Sequence, residues 1–161
     1  MAGKRQYWLM KSEPDVFSID DLARAPRQTT AWDGVRNYQA RNFMRSMQVG
    51  DQVLFYHSNA DPPAVAGLAE VVKTAYPDAT QFDKRDPHYD PAVDPARPRW
   101  YVVDIRFLRR FEVPLALDFL RKQGALKDME LLRRGSRLSV QPVRESEWQE
   151  ILRLARGRAG Q

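Results

Sequence analysis

Short apolar runs alternate with segments of helical spacing along this chain, and their order sets the expected fold. Tyr7-Trp-Leu-Met-Lys11 is an aromatic and apolar run that reads as a buried strand. Glu13-Pro14 ends it, because the residue before a proline is pushed towards extended geometry. Ser18 with Asp21 has the spacing of a helix N-terminal cap, for a short helix through Arg24 that Pro26 closes. Thr29-Thr-Ala-Trp32 is β-prone. From Tyr38 to Met47 the spacing predicts a helix: Ala40, Phe43, Met44 and Met47 share one face, Arg41 and Arg45 another, and Asn37 can cap it. Gln52 to His57 is a second strand. Ser58 to Pro63 is a loop by composition, and Ala64 to Lys73 a third strand, with Gly67 at a bulge or a close approach.

Residues Tyr76 to Arg99 break the pattern. Five prolines and five aspartates fall there, and a long unpatterned loop inside a compact domain is usually functional or disordered. Trp100 to Val113 then reads as one long strand. Leu115 to Gln123 is an expected helix with Gly124 at its C-cap, and Asp128 can cap a short helix from Met129 to Arg133. Arg137 to Val143 is a last strand. Ser146 can cap a terminal helix with Trp148, Ile151, Leu152 and Ala155 on its apolar face, leaving Gly157 to Gln161 as a frayed tail. Five or six strands and four or five helices follow, without regular crossover helices. That argues against a doubly wound parallel sheet and for an α+β fold, a small mixed or antiparallel barrel with helices packed around it.

Composition narrows the function classes. The chain has 161 residues, long enough for one domain with a real core, and no cysteine. A disulfide framework, a cysteine-based zinc site and a thiol nucleophile are thereby excluded. No apolar run approaches the ~20 residues that span a bilayer, and no apolar segment of a signal peptide follows the basic N-terminus. A cytoplasmic or nucleoid-associated protein is expected. The net charge of +5 favours a polyanion partner, nucleic acid first. Twenty of the 26 basic residues are arginine, whose fork matches phosphates and base edges.

Enzyme signatures are sparse. There is no glycine-rich dinucleotide or phosphate loop and no Gly-x-Ser-x-Gly elbow. The two histidines, His57 and His88, lack metalloprotease spacing. Asp83, Asp86, Asp90 and Asp94 stand in a proline-rich run and read as turn formers rather than as a metal cluster. No metal and no cofactor is expected. One catalytic arrangement is conceivable: a desolvated Lys11 activating Ser12, with Glu70 completing the trio. The binding reading draws on more residues. Trp32, followed by Asp-Gly-Val and then Arg36 and Asn37, sets a flat stacking face beside polar groups, as single-stranded base binders do. Trp8, Trp100, Tyr56, Phe82 and Tyr89 could add to an aromatic cage or fill the core. Ser58, Asn59 and Asn37 are either ligand contacts at strand ends or turn and cap residues.

Several strings together resemble the EVE-domain family: Tyr7-Trp-Leu-Met-Lys-Ser-Glu-Pro14, Trp32-Asp-Gly-Val-Arg-Asn-Tyr-Gln-Ala-Arg-Asn-Phe-Met44, Gly50-Asp-Gln-Val-Leu-Phe-Tyr-His-Ser-Asn59 and Arg137-Leu-Ser-Val-Gln-Pro-Val143. Shorter matches at Tyr76-Pro-Asp78, Gln81-Phe-Asp83, Tyr89-Asp-Pro91 and Pro98-Arg-Trp100 keep the family's order from about Tyr7 to Leu154. The resemblance implies a PUA-like fold, a small bent β-barrel of five to six mainly antiparallel strands with flanking helices, related to the YTH domains that hold a methylated adenine in an aromatic cage. By that similarity Trp32 is one cage wall, and Ser12 and Asn37 contact the base edge. Lys11, Ser58 and Asn59 line the mouth, Gln141 closes one side, and Phe82 or Tyr89 supplies a second wall. The family expectation is a non-catalytic reader of a modified base, most of all a modified cytosine in DNA, with Arg36, Arg41 and Arg45 as candidates for phosphate. RNA binding and hydrolysis of a modified nucleoside are the competing expectations.

Overall fold

The computed structural model describes residues 4–159. Six strands form one sheet: β1 (Tyr7–Ser12), β2 (Thr29–Ala31), β3 (Gln52–His57), β4 (Ala64–Pro77), β5 (Tyr101–Ala116) and β6 (Val140–Val143). Their order across the sheet is β2-β5-β4-β3-β1-β6. Only β1 and β3 run parallel; the other pairs are antiparallel. Four helices flank the sheet: α1 (Ile19–Arg24), α2 (Tyr38–Ser46), α3 (Leu117–Arg121) and α4 (Glu145–Ala159). The fold is therefore α+β, mainly antiparallel, with helices around the sheet as expected.

The alternation of side chains along each strand divides the interior in two. Trp8 and Met10 of β1 and Val53 and Phe55 of β3 face a core closed by Ile19 and Leu22 of α1 and Ala40 and Met44 of α2. Leu9, Leu54 and Tyr56 face the other way, against Leu120 of α3 and Trp148, Ile151 and Leu154 of α4. Burial on both faces explains why the central strands read as near-continuous apolar runs. A buried carboxylate pins the start of this sheet: Asp51 accepts the Trp8 indole N–H at 3.0 Å and the main-chain N–H groups of Gln6 and Gln48 at 3.1 and 3.0 Å. Gly67 sits at a register shift between β4 and β5, and a Cβ there would come within 2.3 Å of the Arg109 carbonyl. The close approach expected from its position in a strand is the reason for glycine.

Local signals placed most elements. Ser18 and Asp21 form a reciprocal capping box on α1, and the Asn37 side chain accepts the Ala40 N–H at 2.9 Å to start α2. Four expectations about where elements start, end or are capped are corrected. β5 continues through Pro114 to Ala116, because Val65 and Ala64 of β4 pair with its last residues, so α3 starts later and is only five residues long. Gly124 then opens a 3-10 turn instead of capping α3. Asp128 caps nothing: the turn at Glu130–Leu132 follows Met129 without a side-chain cap. Ser146 lies inside α4, where Glu147 reaches back to the Arg144 N–H at 2.9 Å, and the helix continues to Ala159.

The proline-rich segment is ordered by its own aspartates. Asp83, Asp86, Asp90 and Asp94 each accept the main-chain N–H two residues on, at 2.8–3.0 Å. Gln81, fully buried, anchors the loop by donating to the Asp78 and Trp100 carbonyls and accepting from the Arg99 and Trp100 N–H groups. No group of three or more potential metal-ligating side chains occurs among the described residues.

Candidate nucleic-acid interface

The end of β2 opens a cleft in the protein surface. Trp32 continues the β2–β5 pairing by donating its N–H to the Val103 carbonyl at 2.8 Å. Its ring packs edge-on against Phe55 in the core, centroids 5.5 Å apart at 87°. The indole is thus seated in the core and uses its remaining surface to wall two adjoining lobes of about 360 and 380 Å³. Both lobes also share Lys11, Val16, Asp33 and His88. Ser12, Phe17, Thr30 and Ala31 complete the first, and Asn37, Ser139, Glu13 and the Gly34–Arg36 segment the second.

His88 is brought there by a built contact. Gly34, at φ +79°, leaves its Cα face open to the imidazole; a Cβ would lie 2.6 Å from Nε2. Asp86 holds the ring from the other side, 3.1 Å from Nδ1, and accepts the His88 N–H at 2.8 Å. Arg36 ties the loop down. Its Nε and Nη2 donate to the His88 carbonyl, Nη1 to the Val35 carbonyl and Asp78, and Nη2 to the Thr80 hydroxyl, all at 2.8–3.1 Å. The guanidinium also lies 5.5 Å from the Trp100 ring centroid. All five donors are spent inside the protein, so Arg36 is a clamp on the loop and not a free phosphate contact.

The polar groups differ in what they have left to offer. The Ser12 hydroxyl donates to the Phe17 carbonyl at 2.6 Å, so towards a ligand it can only accept. The Asn37 Oδ1 is committed to the α2 cap, which fixes the amide so that its NH₂ remains a donor. Asp33 has no cationic partner within ion-pair distance among the described residues. Burial, with the Asp78 charge, pushes its carboxyl above the usual carboxylate range, against the pull of His88. The Lys11 ammonium is pushed down by burial, with Glu130 opposing. It sits 5.9 Å from the Tyr56 ring centroid, on the opposite side of the sheet from Ser12, its neighbour in β1.

That alternation also separates the conceived Lys11–Ser12–Glu70 trio. Lys11 pairs with Tyr56 while Glu70 pairs with Gln52 at the far end of β3, about 13 Å along the strand. Glu70 is bonded to Arg106. The three groups do not meet.

Of the residues singled out from sequence, Trp32, Lys11, Ser12, Arg36 and Asn37 border the cleft, and the others do not line it. Phe82 ends the short 3-10 helix Ala79–Phe82, and Tyr89 follows the turn that presents His88; the imidazole stands where an aromatic ring was expected. The Ser58 N–H extends the β1–β3 pairing to the Ser12 carbonyl, and Asn59, at φ +52°, turns aside to donate to Glu13 at 3.0 Å. Gln141 is buried and donates to the Leu138 carbonyl; Ser139 takes the closing position. Trp8, Tyr56 and Trp100 belong to the interior, the last donating its indole N–H to Asp90 at 2.8 Å. Arg41 lies over Tyr38 and bonds the Arg99 carbonyl, and Arg45 lies over Tyr101; neither lines the cleft. Asp33 and His88 were missed. Asp33 stands inside the Trp32 string and could have been read as an acceptor, whereas nothing local marks His88.

The EVE domain model matches residues 6–154. The chain belongs to the EVE domain family. Human thymocyte nuclear protein 1 is 47% identical over 165 residues, covering 92% of this chain and 73% of that protein. A protein of Leishmania major superposes with a TM-score of 0.93 at 50% identity, over 99% of each chain. Human THYN1 in complex with 5-methylcytosine-containing DNA superposes with a TM-score of 0.88 at 46% identity, over 93% of this chain and 97% of that one. No helix among the described residues is long and apolar enough to cross a membrane.

Proposed function

We propose that this chain is a non-catalytic reader of a modified cytosine in DNA, with the base flipped into the Trp32 cleft. The observation that carries this reading is the match between the groups left unspent in the cleft and a cytosine edge. The 4-amino group of cytosine donates, and Asp33 and Ser12 accept. Its N3 and O2 accept, and the Asn37 NH₂ donates. Trp32 supplies the stacking face, and Val16, Phe17 and Ala31 give the first lobe an apolar side for a 5-methyl group. The 46% identical human protein held with 5-methylcytosine-containing DNA supports the same target. Flipping costs a few kcal/mol, and stacking on one aromatic returns ~1–3 kcal/mol. Such a reader works wherever the cell keeps its DNA.

The same edge explains discrimination. Thymine places an acceptor, O4, where cytosine places its amino group, so Asp33 would face it oxygen to oxygen. Fluorescence polarisation on duplexes differing only at one position tests this. Tightest binding to 5-methylcytosine is expected, with unmodified cytosine and thymine weaker. Trp32→Ala should lose roughly 5–150-fold on the modified duplex, and Asp33→Asn should narrow the gap to thymine. Equal affinity across the four duplexes, with hydroxymethylcytosine as the fourth, would remove the reading.

A further inference from the structure

Arg36 was a phosphate candidate by sequence, and it is consumed by the loop it clamps. The segment entering β6 offers what it lacks. Arg133-Arg134-Gly135-Ser136-Arg137 forms a turn in which the Ser136 N–H donates to the Arg133 carbonyl at 3.2 Å. Arg134 and Arg137 are exposed, and among the described residues neither makes a hydrogen bond, ion pair or aromatic contact. The Ser136 hydroxyl also lacks a hydrogen-bond partner.

The chain connection places this turn beside the cleft. Leu138 is buried in the core, Arg137 before it is exposed, and Ser139, two residues after Arg137, lines the second lobe. Two residues span at most ~7 Å. Two unpaired guanidiniums beside a cleft of this kind match a nucleic-acid backbone, whose phosphates take forked donors.

We propose that Arg134 and Arg137 hold the DNA phosphates that flank the base in the cleft, a site that rests on the base-reading role above. These two arginines set affinity and position, and leave the choice of base to Trp32 and Asp33. The test measures Kd for a duplex with one central 5-methylcytosine, and for its unmodified twin, between 50 and 200 mM salt. For the Arg134→Ala/Arg137→Ala variant, the slope of log affinity against log salt should become shallower by about 0.9 for each phosphate no longer neutralised. The ratio between modified and unmodified duplexes should stay as in the wild type. Arg156→Ala, an exposed arginine on α4, is the control and should leave the slope alone. Both variants alter only exposed side chains, and matching thermal melts confirm their folds.

An unchanged slope in the double variant, with modification preference intact, overturns the phosphate site alone. A shallower slope without any wild-type preference for the modified base keeps the phosphate site and removes the base reader. A slope change seen only with RNA of the same sequence overturns the assignment to DNA. Absence of DNA binding by the wild type overturns both.

Discussion

Replacing Arg36 by alanine separates two roles that its sequence position leaves equal. Arg36 stands four residues after Trp32, and a phosphate ligand there would be removed with little effect on the fold. The structure gives it five internal hydrogen bonds and a carboxylate partner, Asp78, whose side chain is 1% exposed against 23% for Arg36. Removing one partner of a buried ion pair costs ~3–5 kcal/mol. Asp78 keeps three other donors, the N–H groups of Gly34 and Thr80 and the Thr80 hydroxyl, at 2.6–2.9 Å. Arg36 is also partly hydrated. The expected destabilisation is therefore roughly 2–3 kcal/mol on that scale. For a chain of this length that is a fall of roughly 4–12 °C in Tm. Urea unfolding measures the stability directly, and the same variant is titrated with modified and unmodified duplexes. Because Arg36 holds the His88 carbonyl, the discrimination between the two duplexes should shrink as well. Stability within about 0.5 kcal/mol of wild type, together with a salt slope shallower by about 0.9, would refute the clamp and restore the phosphate role.

Three further outcomes follow from the same geometry. Burial raises the Asp78 carboxyl, but hydrogen bonds from the Thr80 hydroxyl, Gly34, Thr80 N–H and Arg36 outweigh it and hold it below its ordinary value. A depressed carboxylate stabilises the fold above its unfolded-state pKa, ~3.9, and that contribution is lost as pH falls through the lower folded-state value. Urea midpoints should therefore fall below pH 4 in the wild type, and less steeply in Asp78→Asn. Asp51→Ala should destabilise by ~2–4 kcal/mol, because it strands the buried Trp8 indole N–H and two main-chain donors; calorimetry showing less than 1 kcal/mol would contradict that account. Gly34→Ala carries the left-handed cost of ~1–2 kcal/mol and forces the imidazole of His88 away. It should lose preference for the modified base while Gly50→Ala, where a Cβ meets nothing, does not.

Much of the fold was legible because it is written locally. The Ser18–Asp21 box and the Asn37 cap act within three residues, and the apolar runs of β1 and β3 carry their burial in their own composition. Asp86, Asp90 and Asp94, each followed by a proline, encode their turns two residues ahead. The position of Trp32 on the cleft was legible too, from the Asp-Gly turn that follows it directly in the sequence. The tertiary structure decided what depends on residues far apart. Where β5 ends is set by its pairing with Ala64 and Val65, not by its own sequence. That Lys11 and Ser12 face opposite sides follows from the pleat, but that Glu70 lies at the other end of the sheet follows only from register. His88 joins the cleft from 56 residues beyond Trp32, through Arg36 and the open face of Gly34. Arg36 is spent and Arg137 unpaired among the described residues for the same reason: a guanidinium's availability depends on which distant carbonyls and carboxylates the folded chain brings within reach, and no local pattern records that.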